Sequence, residues 1–511
     1  MGILAEFDTR WVVAVCLTGI VIKSLASWVW DWHRLRHVPG PFLASISYIW
    51  LTAFSLDKRQ HERFQTIHGE YGPLVRISPR ELLTDDPELI RSMSATQGRT
   101  RRSRSYHGNR FNPYQDPLFS ILDPLEHDRM KVKLAPAYSG RDAPDLERDI
   151  DDRVLAFTRL IREKYVSGPG KLVPLSLTRT PGLFTLDVIS RLALGKEFGC
   201  LESDADPHAF YDTIEEHLPG MALTTNVPWL REITYSPLFL RWFGPKETDK
   251  GGVGKLMKLT NGIVRERFGH REKEQNDMLG SFIRHGLTQA ECETESLLMF
   301  IAGSDTTAAV IRITMLHILG NPRIYQRLKQ EITTAVNTGN ISNPISNAQA
   351  KQLPYLQAVV YEGIRIRPVT TSMLMKEVPP GGETIQGLFV PGGTSIGVNL
   401  PSLLRREDLF GKDAHIFRPE RFLELGDDAA AAARMKRDAE LAFGYGRWMC
   451  AGKAVAFMEL NKVFFEFLRH FDFEFCDPQN PMQTTSVVLY RDTGLDVRVT
   501  LSETGETDQM V

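Results

Sequence analysis

The five cysteines of this 511-residue chain, Cys16, Cys200, Cys292, Cys450 and Cys476, include no CxxC pair, and their number is odd. Cysteines so few and so scattered argue against a disulfide framework and for a reducing compartment. A structural zinc site is excluded with them, because it needs a second thiolate two to four residues away. Charge of one sign is missing as well: the formal net charge is −2, which leaves no electrostatic case for nucleic-acid binding. No GxGxxG follows a strand pattern, so the chain has no flavin or dinucleotide fingerprint of its own. Length alone allows about three domains. With no Pro/Gly/Ser-rich linker and no internal repeat, the expectation is instead one large domain, residues 38–511, behind a short appendage, residues 1–37.

What is present is concentrated near the C-terminal end, where Phe443, Gly444, Tyr445, Gly446, Arg447, Trp448, Met449, Cys450, Ala451 and Gly452 follow one another. The glycines let the backbone turn tightly and let a flat, large group approach it. Ala454, Phe457, Met458, Val463, Phe464, Phe467 and Leu468 then recur at roughly helical spacing. A cysteine at a helix N-terminus sits where free N–H groups and the dipole favour the thiolate. A buried structural cysteine would not need the surrounding glycines. A nucleophile paired with His470 lacks any sign that the two are adjacent. A lone thiolate in a glycine loop suits a one-ligand metal cofactor best, and haem is the obvious candidate.

The pattern Phe443-x-x-Gly446-x-x-x-Cys450-x-Gly452 resembles the haem-binding loop of the cytochrome P450 family. The resemblance implies haem b, with Cys450 as the axial ligand of its iron and Phe443, Gly444, Gly446, Arg447 and Gly452 around it. In that family an arginine two residues before the cysteine donates to a haem propionate. Here that position is Trp448, which can donate one indole N–H, and the arginine is Arg447. The family's other propionate contacts fall on His127, Lys131 and Lys376.

A second centre lies in residues 291–320, which read as a long helix apolar on nearly all sides, hence central and buried. Gly303, Ser304, Asp305, Thr306 and Thr307 interrupt it with groups that weaken a helix or compete for its hydrogen bonds. One helix ending at Gly303 and another capped by Asp305 is the plain reading. Ala302-Gly303-Ser304-Asp305-Thr306-Thr307 also matches the family's oxygen-activation motif, which implies a local opening. There Thr306 hydrogen-bonds the reacting oxygen, Asp305 feeds protons towards it, and Ala302 and Gly303 border the cofactor. A third centre, Glu362 and Arg365, shares one helix face ended by Pro368. Alone it is an ordinary surface pair. In the family it is buried with an arginine of a later loop, here Arg421, and is structural.

Elsewhere residues 71–83 alternate as a strand pair, and short strands with glycine turns follow Pro368. Residues 98–119 and 369–374 cover the pocket by resemblance. Residues 219–242, apolar and broken by Pro219, Pro228 and Pro237, suggest an entrance lid that meets a ligand or a membrane. Residues 427–440, with five alanines in a row, read as a surface insertion. Residues 11–30 are long and apolar enough to cross a bilayer as one helix, although Lys23 interrupts them. Basic residues after them (Arg34, Arg36) place the following domain in the cytosol.

The resemblance covers nearly the whole chain, with the motifs in the family's order. It implies a mainly α fold with a small β-rich part and a single N-terminal transmembrane helix, in the endoplasmic reticulum membrane. The implied activity is monooxygenation of a lipophilic small molecule, as hydroxylation or epoxidation, in the style of filamentous-fungal secondary-metabolite enzymes. Electrons would come from NADPH–cytochrome P450 reductase, with cytochrome b5 as an optional second donor. Lys131, Lys133, Arg447 and Lys453 are expected to steer an acidic reductase. The alternatives are a reductase-independent isomerase or dehydratase of peroxides and a non-catalytic haem protein; neither has a use for Asp305 and Thr306.

Overall fold

A computed structural model describes residues 9–269, 275–426 and 428–502. Eight of its helices matter for the site, numbered here in chain order. They are α1 (Thr9–Arg34), α2 (Pro124–Tyr138), α3 (Thr180–Leu194), α4 (Phe210–Asn226), α5 (Gln289–Leu319), α6 (Pro354–Ile366), α7 (Ala429–Ala439) and α8 (Lys453–His470). Small sheets flank them, so the fold is mainly helical, as the resemblance implied.

The centre of the molecule is α5. Thr288 and Glu291 close its N-terminus with a reciprocal capping box. Apart from Ala302, its apolar side chains from Leu297 to Ile318 are then buried or half-buried on every side. The helix runs through Gly303–Thr307 without a break, so the expected opening is absent from its backbone. The polar run is absorbed locally: Ser304 donates to Phe300 O at 2.6 Å and Thr306 to Ala302 O at 2.8 Å. Gly303 is needed for packing, because a Cβ there would sit 2.7 Å from Ile189 of α3. Thr185 of α3 adds a bond to Ser304 O at 2.6 Å. Among the described residues, α5 is also the helix long and apolar enough to cross a membrane, and it is the buried core.

Helix α6 lies against α5 so closely that a Cβ on Gly363 would meet Thr314 Oγ1 at 2.0 Å. Its Glu362 and Arg365 are wholly buried rather than superficial. Arg365 holds Glu362 in a fork, 2.7 and 2.8 Å, and Arg421 adds a third bond at 3.1 Å. The remaining donors of Arg365 reach the carbonyls of Leu404, Ala414 and Ile416. This clamp ties α6 to the loop that leads towards Cys450.

The main sheet contains β1 (Leu74–Arg76), β2 (Glu81–Thr84), β3 (Arg101–Arg102), β4 (Lys376–Glu377) and β5 (Ser395–Val398), in the order β1-β2-β5-β4-β3. The strand pair expected in residues 71–83 is there, but β2 also pairs in parallel with β5, more than three hundred residues later. A hairpin of β6 (Gln483–Val487) and β7 (Leu489–Thr493) turns at Val488, at φ +66°, a genuine outlier for a β-branched residue. Val488 O accepts from Thr370 and Thr371, so the hairpin tip is fastened to residues 369–374.

One expectation changes here. Helix α4 continues through Pro219 to Asn226 before the shorter helices Pro228–Thr234 and Pro237–Phe243, which expose Trp229, Leu238, Trp242 and Phe243. Residues 429–439, within the expected surface insertion, form a helix, α7, whose Asp438 is buried and paired with Arg91. Helix α1 exposes Trp11, Val15, Leu17, Ile22, Leu25 and Trp30, and its end docks through Asp31–Arg80 and Arg34–Gly392 O. Residues 1–8 and the last nine lie outside the described residues.

Candidate active site

Gly444 and Gly446 adopt positive φ, +76° and +55°, and build the turn before Cys450. A Cβ on Gly446 would meet Ser94 O at 2.3 Å, so this glycine serves a close approach of two backbones. Cys450 N donates to Phe443 O at 2.8 Å, which closes the loop, and the ring of Phe443 packs 5.6 Å from that of Phe457 of α8. The backbone N–H groups of Gly452 and Lys453, at the start of α8, favour the Cys450 thiolate. Burial nonetheless outweighs them and pushes the thiol above its ordinary value, against the sequence expectation of a ready thiolate. Metal coordination, which deprotonates a thiol outright, has to complete the task. Cys450 also has accessible surface.

Helix α5 carries one accessible stretch of its own. Within its buried run Ala302 is exposed and Thr306 half-buried, one turn apart on one face. The neighbouring Asp305 points elsewhere: its carboxylate is bound by Arg312 Nη2 at 3.1 Å, both side chains nearly inaccessible.

At the edge of the site two cations are buried with no carboxylate partner among the described residues. Lys376 donates to Tyr106 OH and Leu374 O, both at 2.9 Å. Arg102, which sequence reasoning missed, donates to the carbonyls of Leu118 and Ile121, and its Nε has no partner. Its guanidinium lies 4.4 Å from the centre of the Trp448 ring, whose buried Nε1 is also unpartnered. Burial lowers the pKa of both cations, with Tyr106 opposing. Burial would raise the Tyr106 phenol, but Lys376 and Arg102 outweigh it and hold it below its usual value. Unpaired buried cations and donors are costly. This set fits a group that carries carboxylates, and with the sulfur it fits haem b and its two propionates.

The remaining residues singled out in the sequence sit around this edge. His127 packs its ring 4.5 Å from Trp448; burial, then Arg102, lowers its pKa to about 4, so it is neutral at physiological pH. Lys131 donates to Arg447 O at 2.6 Å and its charge is felt at Cys450. Arg447 does not join the buried cations: it is bound to Asp128 at 3.0 Å and to Thr96 O. Gly452 has only Cys450 Sγ, 3.9 Å away, near a would-be Cβ.

Outside the loop, a groove of about 1230 Å³ runs past Gly444, Tyr445, Met449 and Lys453 towards α7. Five basic and six acidic side chains line it, and Lys453 is itself paired with Glu440 at 2.7 Å. Of the basic residues expected to form a patch, Arg447 and Lys453 are paired with Asp128 and Glu440, while Lys131 and Lys133 donate to the carbonyls of Arg447 and Gly286. This groove lies behind the loop and is not the reaction space.

A buried acid stands between the two helices. Glu459 of α8 has an unpartnered Oε2, and burial, opposed by a bond from Thr307, pushes its pKa up to about 8. The unfolded value is 4.5, so this group makes the fold lose stability as pH rises through that window, at about 1.4 kcal/mol per pH unit. Glu459→Gln is expected to raise the urea midpoint at pH 8 and to flatten its decline from pH 6. Equal pH dependence in the two proteins would show that Glu459 is not its source.

The family model described as Cytochrome P450 matches residues 38–497. A protein called cytochrome P450 monooxygenase aba1 from Botryotinia fuckeliana is 46% identical over 472 residues, 92% of each chain. Cytochrome P450 monooxygenase ABA1 of Pyricularia oryzae is 44% identical over 486 residues, 94% of each. Cytochrome P450 monooxygenase abl1 of Leptosphaeria maculans is 43% identical over 479 residues, covering 92% of this chain and 84% of its own. A match over most of the chain and relatives this similar make it a member of the cytochrome P450 family, a monooxygenase whose haem b is held by a cysteine thiolate.

Proposed function

We propose that this enzyme inserts one atom of dioxygen into a lipophilic fungal metabolite, by hydroxylation or epoxidation, with electrons from NADPH–cytochrome P450 reductase. For hydroxylation the balance is substrate, O₂, NADPH and one proton giving the alcohol, NADP⁺ and water. The observation that carries it is the pair of buried cations, Arg102 and Lys376, with no carboxylate bound to either among the described residues, beside Trp448 Nε1, unpartnered there too, and the loop of Cys450. When bound there, haem b would supply the reductive activation of dioxygen, with Cys450 holding its iron. Arg102, Lys376 and Trp448 would take its propionates, with Tyr106 held between the two cations. His127 packs against the indole, and Lys131 anchors the loop at Arg447 O.

Thr306 of α5 would handle the proton. Its hydroxyl donates to Ala302 O, so its lone pairs are free to accept, and it can hand on a proton only as it takes one. Thr306→Ala is expected to raise hydrogen peroxide released per NADPH several-fold at unchanged haem content. Unchanged coupling would remove Thr306 from the proton path. Incubating holoenzyme, reductase and NADPH with candidate metabolites under isotopically labelled dioxygen tests the reaction itself: the product should carry one labelled atom. Labelled product formed without reductase would exclude this electron source.

Apolar α1 and the exposed Trp229, Leu238, Trp242 and Phe243 support attachment to a membrane, with α1 as a single anchor in the endoplasmic reticulum and the catalytic part in the cytosol. The fungal relatives support a place in secondary metabolism. The mixed charge of the groove behind the loop argues that reductase docking depends on matched ion pairs more than on a net basic field.

A further inference from the structure

The short helix Pro228–Thr234 exposes Trp229, at 62%, and buries Arg231, at 7%. One nitrogen of that guanidinium is engaged: Nη1 donates to Thr224 O at 3.2 Å and to Thr225 O at 2.9 Å, at the end of α4. Nε is buried without a partner, and Nη2 makes no hydrogen bond among the described residues. The Nε–Nη2 edge is therefore open. It is the edge with which Arg365 forks Glu362, at 2.7 and 2.8 Å, in this same molecule. Thr225 Oγ1 and Asn226 Oδ1, at the end of α4, are buried and unpartnered among the described residues as well. Residues 104–109 close the junction from the other side: a Cβ on Gly108 would meet Thr225 N at 2.4 Å, and Tyr235 OH donates to Gly108 O and Arg110 O, both at 3.4 Å. Three orphaned polar atoms thus lie where the expected entrance lid meets the expected pocket cover.

The surrounding charges do not complete that edge. Glu81 of β2 is the acid felt most strongly at Arg231, but its oxygens accept from Tyr48 at 3.3 Å and from Ser78, and burial pushes its pKa up to about 7. Glu232 is engaged by Arg104 at 3.2 Å, and His107, brought down to about 4 by burial and then by Arg110, is neutral at physiological pH. Capping the carbonyls of α4 needs Nη1 alone, so it leaves the open edge unexplained. A desolvated guanidinium is costly until an anion meets it, and a carboxylate matches the fork in spacing and charge. We propose that Arg231 is a substrate-binding residue that takes the carboxylate of an acidic lipophilic substrate at the pocket entrance. The substrate class is then a carboxylic acid with an apolar body, which suits the apolar side chains these short helices carry. The proposal rests on the reading of a lipophilic substrate and adds the group by which that substrate is recognised.

The test titrates holoenzyme with dodecanoic, hexadecanoic and abietic acids, each beside its methyl ester, in a buffer basic enough to ionise the acids. The shift of the Soret band gives each Kd, and the reduced carbon monoxide spectrum shows intact haem binding. In the wild type at least one acid is expected to bind about tenfold or more tighter than its ester. Arg231→Gln should erase that preference and leave the Kd of the ester within about twofold. A role confined to holding the end of α4 would move acid and ester alike. If esters shift the band and no acid binds better, this proposal fails while the reading of a lipophilic substrate stands. If neither acids nor esters shift it, both fail. A preference that survives in Arg231→Gln places carboxylate recognition elsewhere and overturns the proposal. Should Arg231→Gln not bind haem, Arg231→Lys decides, since lysine keeps a charge and a donor for the α4 carbonyls but not the planar fork. Its preference is expected to fall by about threefold or more, and an unchanged preference overturns the proposal.

Discussion

Replacing Cys450 with serine is expected to abolish the strongly red-shifted Soret band of the reduced, carbon monoxide-treated protein, and product formation with it. A serine hydroxyl in the same loop could not give the iron the electron density of a thiolate. Haem could remain, since Arg102, Lys376 and Trp448 are untouched, and its band would then stand at the ordinary haem position. The comparison is informative because burial alone favours the thiol in this loop, so the wild-type band reports that coordination has overcome it. A Cys450→Ser protein that kept the red-shifted band would place the ligand elsewhere.

Arg365→Ala is expected to cost about 3–5 kcal/mol, because it leaves the Glu362 carboxylate uncompensated in the core. Against the 5–15 kcal/mol that holds a typical domain together, that approaches loss of the fold. Arg418 N and Arg421 would still bond Glu362, but the fork and the anchors to Leu404, Ala414 and Ile416 would go. Arg365→Lys should rescue little, since an ammonium cannot reproduce the planar fork. Expression yield, haem content and thermal melting measure this together. A variant that binds full haem and melts within a few degrees of wild type would show that the clamp does not carry the cysteine side of the fold.

The features set by local pattern were legible in the sequence. The glycine loop around Cys450, the apolar helix of residues 291–320 and the Glu362–Arg365 spacing each depend on neighbours a turn or less away, and a motif or a period records them. Tertiary structure decided the partners. Asp305 reads as a free acid beside Thr306, yet it is bound by Arg312; two turns of helix bring them to one face, and only the packing of α3, α4 and the hairpin makes that face dry. Arg447 stands next to the position of the family arginine, but its direction is set by Asp128, which lies 319 residues earlier. Arg102 looks like one more basic residue in an Arg-rich stretch; it becomes part of the site only because β3 carries it under Trp448, where no carboxylate among the described residues binds it directly, although the charge of Glu295 is felt there. The thiol shows the same division most sharply. Its place at a helix N-terminus is written locally and favours the anion, while burial, which depends on the whole fold, favours the neutral form and is the larger effect.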